Sequence, residues 1–199
     1  MCVLLIFVAT VCLVLSLLAH GSTFVGVNPT RQFPGVLWLH VVILGLCIAA
    51  GLVVGTQGKG SSEHDLWRWA RRYSPPWLCN LVVVFFFYAI FNFFFTLFCL
   101  LEGGVPQRIK GELVLANHGK VIRKLTPSEY EQHEAYVIRT FSGHWMLFSS
   151  GSLVVLIASH RYRRATRAGR PGTELGEAED LAGRASLPHA VSDRSSALE

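Results

Sequence analysis

The stretch 77-WLCNLVVVFFFYAIFNFFFTLFCLL-101 contains no charged residue. About 20 consecutive apolar residues are enough for an α-helix to cross the hydrocarbon core of a bilayer. Its rings, Phe85, Phe86, Phe87, Tyr88, Phe91, Phe93, Phe94, Phe95 and Phe98, cover most of a helical circumference, so part of that surface must face lipid. One polar stripe interrupts it. Tyr88, Asn92 and Thr96 recur at every fourth residue, which puts them on one side. That side should face protein, because an unpaired amide is costly in hydrocarbon. Asn92 is therefore expected to pack this helix against a neighbour.

Outward from this segment, three further apolar stretches have spanning length: residues 3–19, 35–55 and 142–159. The expected fold class is an all-α membrane protein. It is a four-transmembrane-helix bundle with a small extracytoplasmic β-hairpin plus helix between the third and fourth spans. The composition agrees: 51% of the 199 residues are hydrophobic, 16% are charged and mean hydropathy is +0.41, which leaves too little chain for a separate soluble domain. The formal charge of +5 does not indicate nucleic-acid binding. Its arginines sit beside predicted helix ends, at Arg68, Arg71, Arg72, Arg161, Arg163 and Arg164, where the nearest anions are lipid headgroups.

The loop after the second span carries Lys59, Arg68, Arg71 and Arg72, and the tail after the fourth carries seven arginines. The positive-inside bias places both on the cytoplasmic side, as for a multi-pass protein of a bacterial inner membrane or a plasma membrane, with both termini inside. The loop 102–141 works against this reading with six basic residues, although five acidic ones accompany them. Ala19-His20-Gly21 would suit signal-peptide cleavage, but no Lys or Arg precedes the first apolar run, so it is read as a span. The five cysteines all lie in or beside spans and imply no disulfide framework.

Between the spans the sequence predicts three elements. Residues 62–73 alternate apolar and basic positions at helical spacing and contain Trp67 and Trp69, as expected for an amphipathic helix in the headgroup plane. Residues 111–125 read as a β-hairpin turning at Asn117-His118-Gly119. Thr126, Pro127 and Glu129 then form a capping-box start for a helix directed toward the fourth span. Gly51 and Gly55 in the second span have GxxxG spacing, so close helix packing is expected there, with Ser149–Ser152 of the fourth span as the counterpart. Residues 161–199 read as a disordered cytoplasmic tail.

Two function classes follow. The first is a non-enzymatic scaffold that meets a protein partner at residues 111–139 and grips anionic lipid headgroups with its arginines. The second is a redox, metal-handling or transport component. His20, His40 and His144, with Cys99, Glu102 and Met146 and joined by His118 and His133, fall near one end of the spans. Imidazole, thiolate and thioether groups ligate haem iron or transition metals. No catalytic, haem-attachment, zinc or phosphate-loop motif accompanies them. A channel is disfavoured because no charged residue is expected inside any span.

Overall fold

The computed structural model describes residues 2–56 and 63–168. The expected tail beyond residue 168, and Lys59 and Ser62 before the interfacial helix, lie outside the described residues. The chain divides into two compact units, Met1–Arg161 and Tyr162–Glu199.

Among the described residues, four helices are long and apolar enough to cross a membrane. They are α1 (Cys2–Phe24), α3 (Trp38–Gly55, with a 3-10 turn at Pro34–Leu37 before it), α5 (Pro76–Phe95, continued by a π-turn at Thr96–Leu100) and α6 (Pro127–Ala168). The chain is accordingly read as a multi-pass membrane protein. A short α2 (Pro29–Gln32) links α1 to the 3-10 turn, and α4 (Glu63–Tyr73) precedes α5. Asn28 caps α2 by accepting from the Thr30 amide, and Pro76 opens α5 with a residue whose missing N–H costs nothing there.

The helix most enclosed by its neighbours is α6. Of its most apolar window 61% is buried, against 17% for α5, so α6 is central and α5 keeps its aromatic face outward. Small side chains make this possible. Ser142, Ser149, Ser150, Ser152, Ala158 and Ser159 are buried, and the Ser149 hydroxyl satisfies itself by donating to the Trp145 carbonyl one turn back. Trp145 fills the space between α1 and α3 against Cys12, Ala19, Leu39 and Ile43. Farther along α6, Met146, Leu153 and Leu156 pack with Ala9 and Leu13 of α1, Leu46 and Ala50 of α3, and Leu78 and Cys79 of α5. The Ser74 hydroxyl donates to the Val154 carbonyl and fixes the start of α5 to α6.

The expected contact between the second span and the serine cluster exists, but not at the expected glycines. Cys47 makes it, its sulfur lying 3.3 Å from the Ser152 hydroxyl. Gly51 and Gly55 are exposed, and a Cβ added at either would meet nothing within 4 Å. Within the four long helices the tight glycine is Gly143, where a Cβ would lie 2.9 Å from the Asn92 side-chain nitrogen.

Between α5 and α6 stands a three-stranded antiparallel sheet in the order β1 (Val105–Ile109), β2 (Glu112–Asn117), β3 (Lys120–Lys124). The expected hairpin is β2–β3, and β1 is an additional strand. Both connections are two-residue turns with left-handed backbone, Lys110-Gly111 (φ 50 and 87) and His118-Gly119 (φ 46 and 81). Two positive φ values in succession match the right-handed twist of the flanking strands, and glycine at the second position removes the steric cost. Val114, Leu115 and Ala116 of β2 are buried, and the Leu125 amide donates to the Leu113 carbonyl to close the sheet onto α6. The capping box forms as expected. Glu129 accepts from the Thr126 amide at 2.7 Å, and its own amide donates to the Thr126 hydroxyl at 3.3 Å.

Candidate functional site

The stripe Tyr88, Asn92 and Thr96 faces α6, and the residue it meets there is Arg139. Since α6 is unbroken from Pro127, a guanidinium stands level with Asn92, contrary to the expectation that no charge lies at span depth. The Asn92 amide nitrogen donates to the Arg139 carbonyl at 3.0 Å, and Arg139 Nε donates to Asn92 Oδ1 at 3.3 Å. Thr96 donates to the same Oδ1 at 3.5 Å. One face of the guanidinium lies over the Phe24 ring at 3.8 Å, a cation–π contact in a region where little water competes.

His20 completes the cluster from α1. The Ser142 hydroxyl lies 3.1 Å from the Arg139 carbonyl and 2.7 Å from His20 Nδ1, and both contacts are hydrogen bonds in the tautomer that carries its proton on Nδ1. In the neutral ring Nε2 is then an acceptor, and the Tyr88 hydroxyl donates to it at 2.5 Å. The Tyr88 oxygen also faces the Arg139 guanidinium. These bonds run from the Arg139 carbonyl through Ser142 and His20 to Tyr88 and join α1, α5 and α6. The side chains of Asn92, Ser142, His20 and Tyr88 are all hydrogen-bonded, which is the condition for burying them, while the terminal nitrogens of Arg139 keep donors to spare.

The other candidate histidines lie apart from this network. His40 on α3 is exposed and its Nδ1 accepts from Trp145 Nε1 at 3.0 Å. His144 donates through Nδ1 to the Thr140 carbonyl and presents its ring edge-on to Phe93. His133 donates to the Glu129 carbonyl, His118 sits in the β2–β3 turn, Cys99 is exposed and Met146 is buried in the bundle. Among the described residues no group of three or more His, Cys, Asp or Glu side chains is placed to hold a metal ion. His20, His40 and His144 thus have three separate sets of partners.

Beyond this end of the bundle, ion pairs brace the sheet and the first turns of α6. Arg123 bridges Glu102 at 3.0 Å and Glu129 at 2.8 Å, and the hydrogen bond from Arg123 holds the Glu102 carboxyl below the usual carboxylate range. Arg31 reaches Glu131 at 2.6 Å, and the Asn28 amide donates to Glu134 at 3.2 Å, so the α1–α3 connection is tied to α6. At these exposures the pairs matter more for orientation than for stability.

The sequence-predicted basic residues lie elsewhere. In α4, Arg71 stands over the Trp67 ring and Arg72 over the Tyr73 ring, each at 5.9 Å, and both arginines are exposed, as is Arg68. Arg161 is exposed at the end of the first unit. Arg163 and Arg164 belong to the second unit, where Arg164 is exposed.

Arg139 is the residue that sequence reasoning missed. Its signal was the unbroken helical pattern from Thr126, which carries the charge down to the level of Asn92. Comparison of the chain with protein families, curated proteins and solved structures found no match.

Proposed function

We propose that this chain is a non-enzymatic membrane scaffold whose sheet and adjoining helix, residues 102–141, hold a protein partner on one side of the bilayer. The observation that carries this reading is the way the segment is braced. It leaves the bundle through a short π-turn, returns through the unbroken α6, and is tied across by Arg123, Arg31 and Asn28. A segment held at both ends loses little conformational freedom when a partner docks, and that is where a preorganised surface gains affinity. Its edge strand β3 leaves Val121 and Ile122 exposed beside Lys120 and Lys124.

In this reading the sheet faces the extracytoplasmic side and both termini are cytoplasmic. The basic elements Arg68, Arg71, Arg72, Arg161, Arg163 and Arg164 grip anionic headgroups on the inner side and set the depth of the bundle. The arrangement of α4, guanidinium groups over Trp67 and Tyr73, supports it, since aromatic and basic side chains together favour the headgroup layer.

The test is photo-crosslinking in living cells with a benzophenone amino acid at Val121 and, as a lipid-facing control, at Phe87 of α5. A protein adduct of one discrete mass from Val121 and none from Phe87 is expected. Lipid adducts alone from both positions would overturn the proposal.

A further inference from the structure

We infer that Arg139 binds a phosphate group at the sheet-side end of the bundle, between α1 and α5. The argument begins with depth. Asn92 precedes the end of the apolar helix at Leu100 by roughly 12 Å of helical rise, and Arg139 is hydrogen-bonded to it from both directions. A cation at that level is costly unless a counter-charge or a set of dipoles meets it. Among the described residues, the ion pairs join Arg31, Arg123 and Lys124 to glutamates and none includes Arg139.

Orientation is the second argument. Arg139 Nε is committed to Asn92, whose side chain is itself pressed against Gly143, and the guanidinium face is covered by Phe24. The planar fork is therefore set before any ligand arrives, and its remaining donors have the spacing that suits two oxygens of one phosphate. Arg139 is half-buried, not sealed inside the bundle, and the Tyr88 hydroxyl stands beside it.

At this depth the nearest source of phosphate is the headgroup of a phospholipid in the sheet-side leaflet; free phosphate has the same chemistry. Arg139 lies near the end of the proposed partner segment, but the inference does not rest on that reading, whose test is made at Val121 of β3, nor on the inner arginines, which lie elsewhere in the chain.

Native mass spectrometry of the full-length protein released from detergent tests it, with dioleoyl phosphatidylglycerol, dioleoylglycerol and inorganic phosphate as separate probes. One phosphatidylglycerol should be retained where dioleoylglycerol, which has the chains but no phosphate, is lost. Arg139→Gln, which keeps a hydrogen-bond donor but no charge, should weaken retention by at least about tenfold, the cost of one charge-assisted hydrogen bond. If inorganic phosphate binds and phosphatidylglycerol does not, with the same dependence on Arg139, the inference stands with free phosphate as the ligand. Equal retention of dioleoylglycerol, or retention unchanged in Arg139→Gln, overturns it. Should the Gln variant fail to fold, Arg139→Lys retains the charge without the fork, and unchanged retention there overturns it equally.

Discussion

Replacing Trp145 by Ala is expected to lower the stability of the bundle by about 3 kcal/mol, the low end of the range for large aromatic truncations in water-soluble cores. Trp145 is among the largest fully buried side chains, with 1% of its surface exposed, and it touches residues of both α1 and α3. In a membrane the unfolded helices are already surrounded by hydrocarbon, so little transfer energy is lost. The cost is the cavity, the missing dispersion contacts and the hydrogen bond to His40. Trp145→Phe keeps most of the volume and gives up that hydrogen bond, so about 1 kcal/mol is expected. Unfolding in mixed micelles by SDS titration gives both numbers. Trp38, which is 70% exposed on α3, provides the comparison. If Trp145→Ala is no worse than Trp38→Ala, α6 is not the central helix.

Leu115→Ala is expected to cost about 3 kcal/mol as well, by the aqueous mechanism, because the sheet lies outside the apolar helices. Leu115 has no exposed surface, sits at the β2 bulge beside Ala116, and packs against the backbone of Gly104, where an added Cβ would lie 2.9 Å from the Leu115 side chain. Truncation removes the side chain that fills the sheet's buried face. The damage should stay local, since the bundle core shares no residue with the sheet. In detergent, trypsin should cut faster after Lys120, Arg123 and Lys124 while the unfolding midpoint of the helices moves little. A cut rate equal to that of the unsubstituted protein would show that Leu115 does not hold the sheet.

The spans were legible because hydropathy over some twenty residues depends little on packing, and the capping box because Thr126, Pro127 and Glu129 act locally. Strand β1 was not. Pro106 lacks an amide hydrogen and argues against a strand, yet on an edge, opposite Leu115, it is tolerated. The π-turn at Thr96–Leu100 has no sequence signal of its own. Histidine depth could be read from the sequence, but azimuth could not: His20 faces α5 and α6, His40 meets Trp145, and His144 turns to Phe93. For the same reason the GxxxG spacing of Gly51 and Gly55 said nothing of which way they point, and they point outward. Arg139 escaped notice because the fourth span, drawn by hydropathy, began at Ser142. The polar stripe on α5 required a partner, but which side chain of α6 would supply it depended on where an unbroken helix placed Arg139.

The central claim is that four helices cross the membrane with the sheet on one side and α4 on the other. Labelling single cysteines with a membrane-impermeant maleimide, in a background lacking the five native cysteines, tests it most directly. Cysteine placed at His118 in the β2–β3 turn should react in intact cells, while cysteine at Arg72 or Arg161 should react only after permeabilisation. If His118 and Arg72 label from the same side, α5 does not cross the bilayer and the four-span account is wrong.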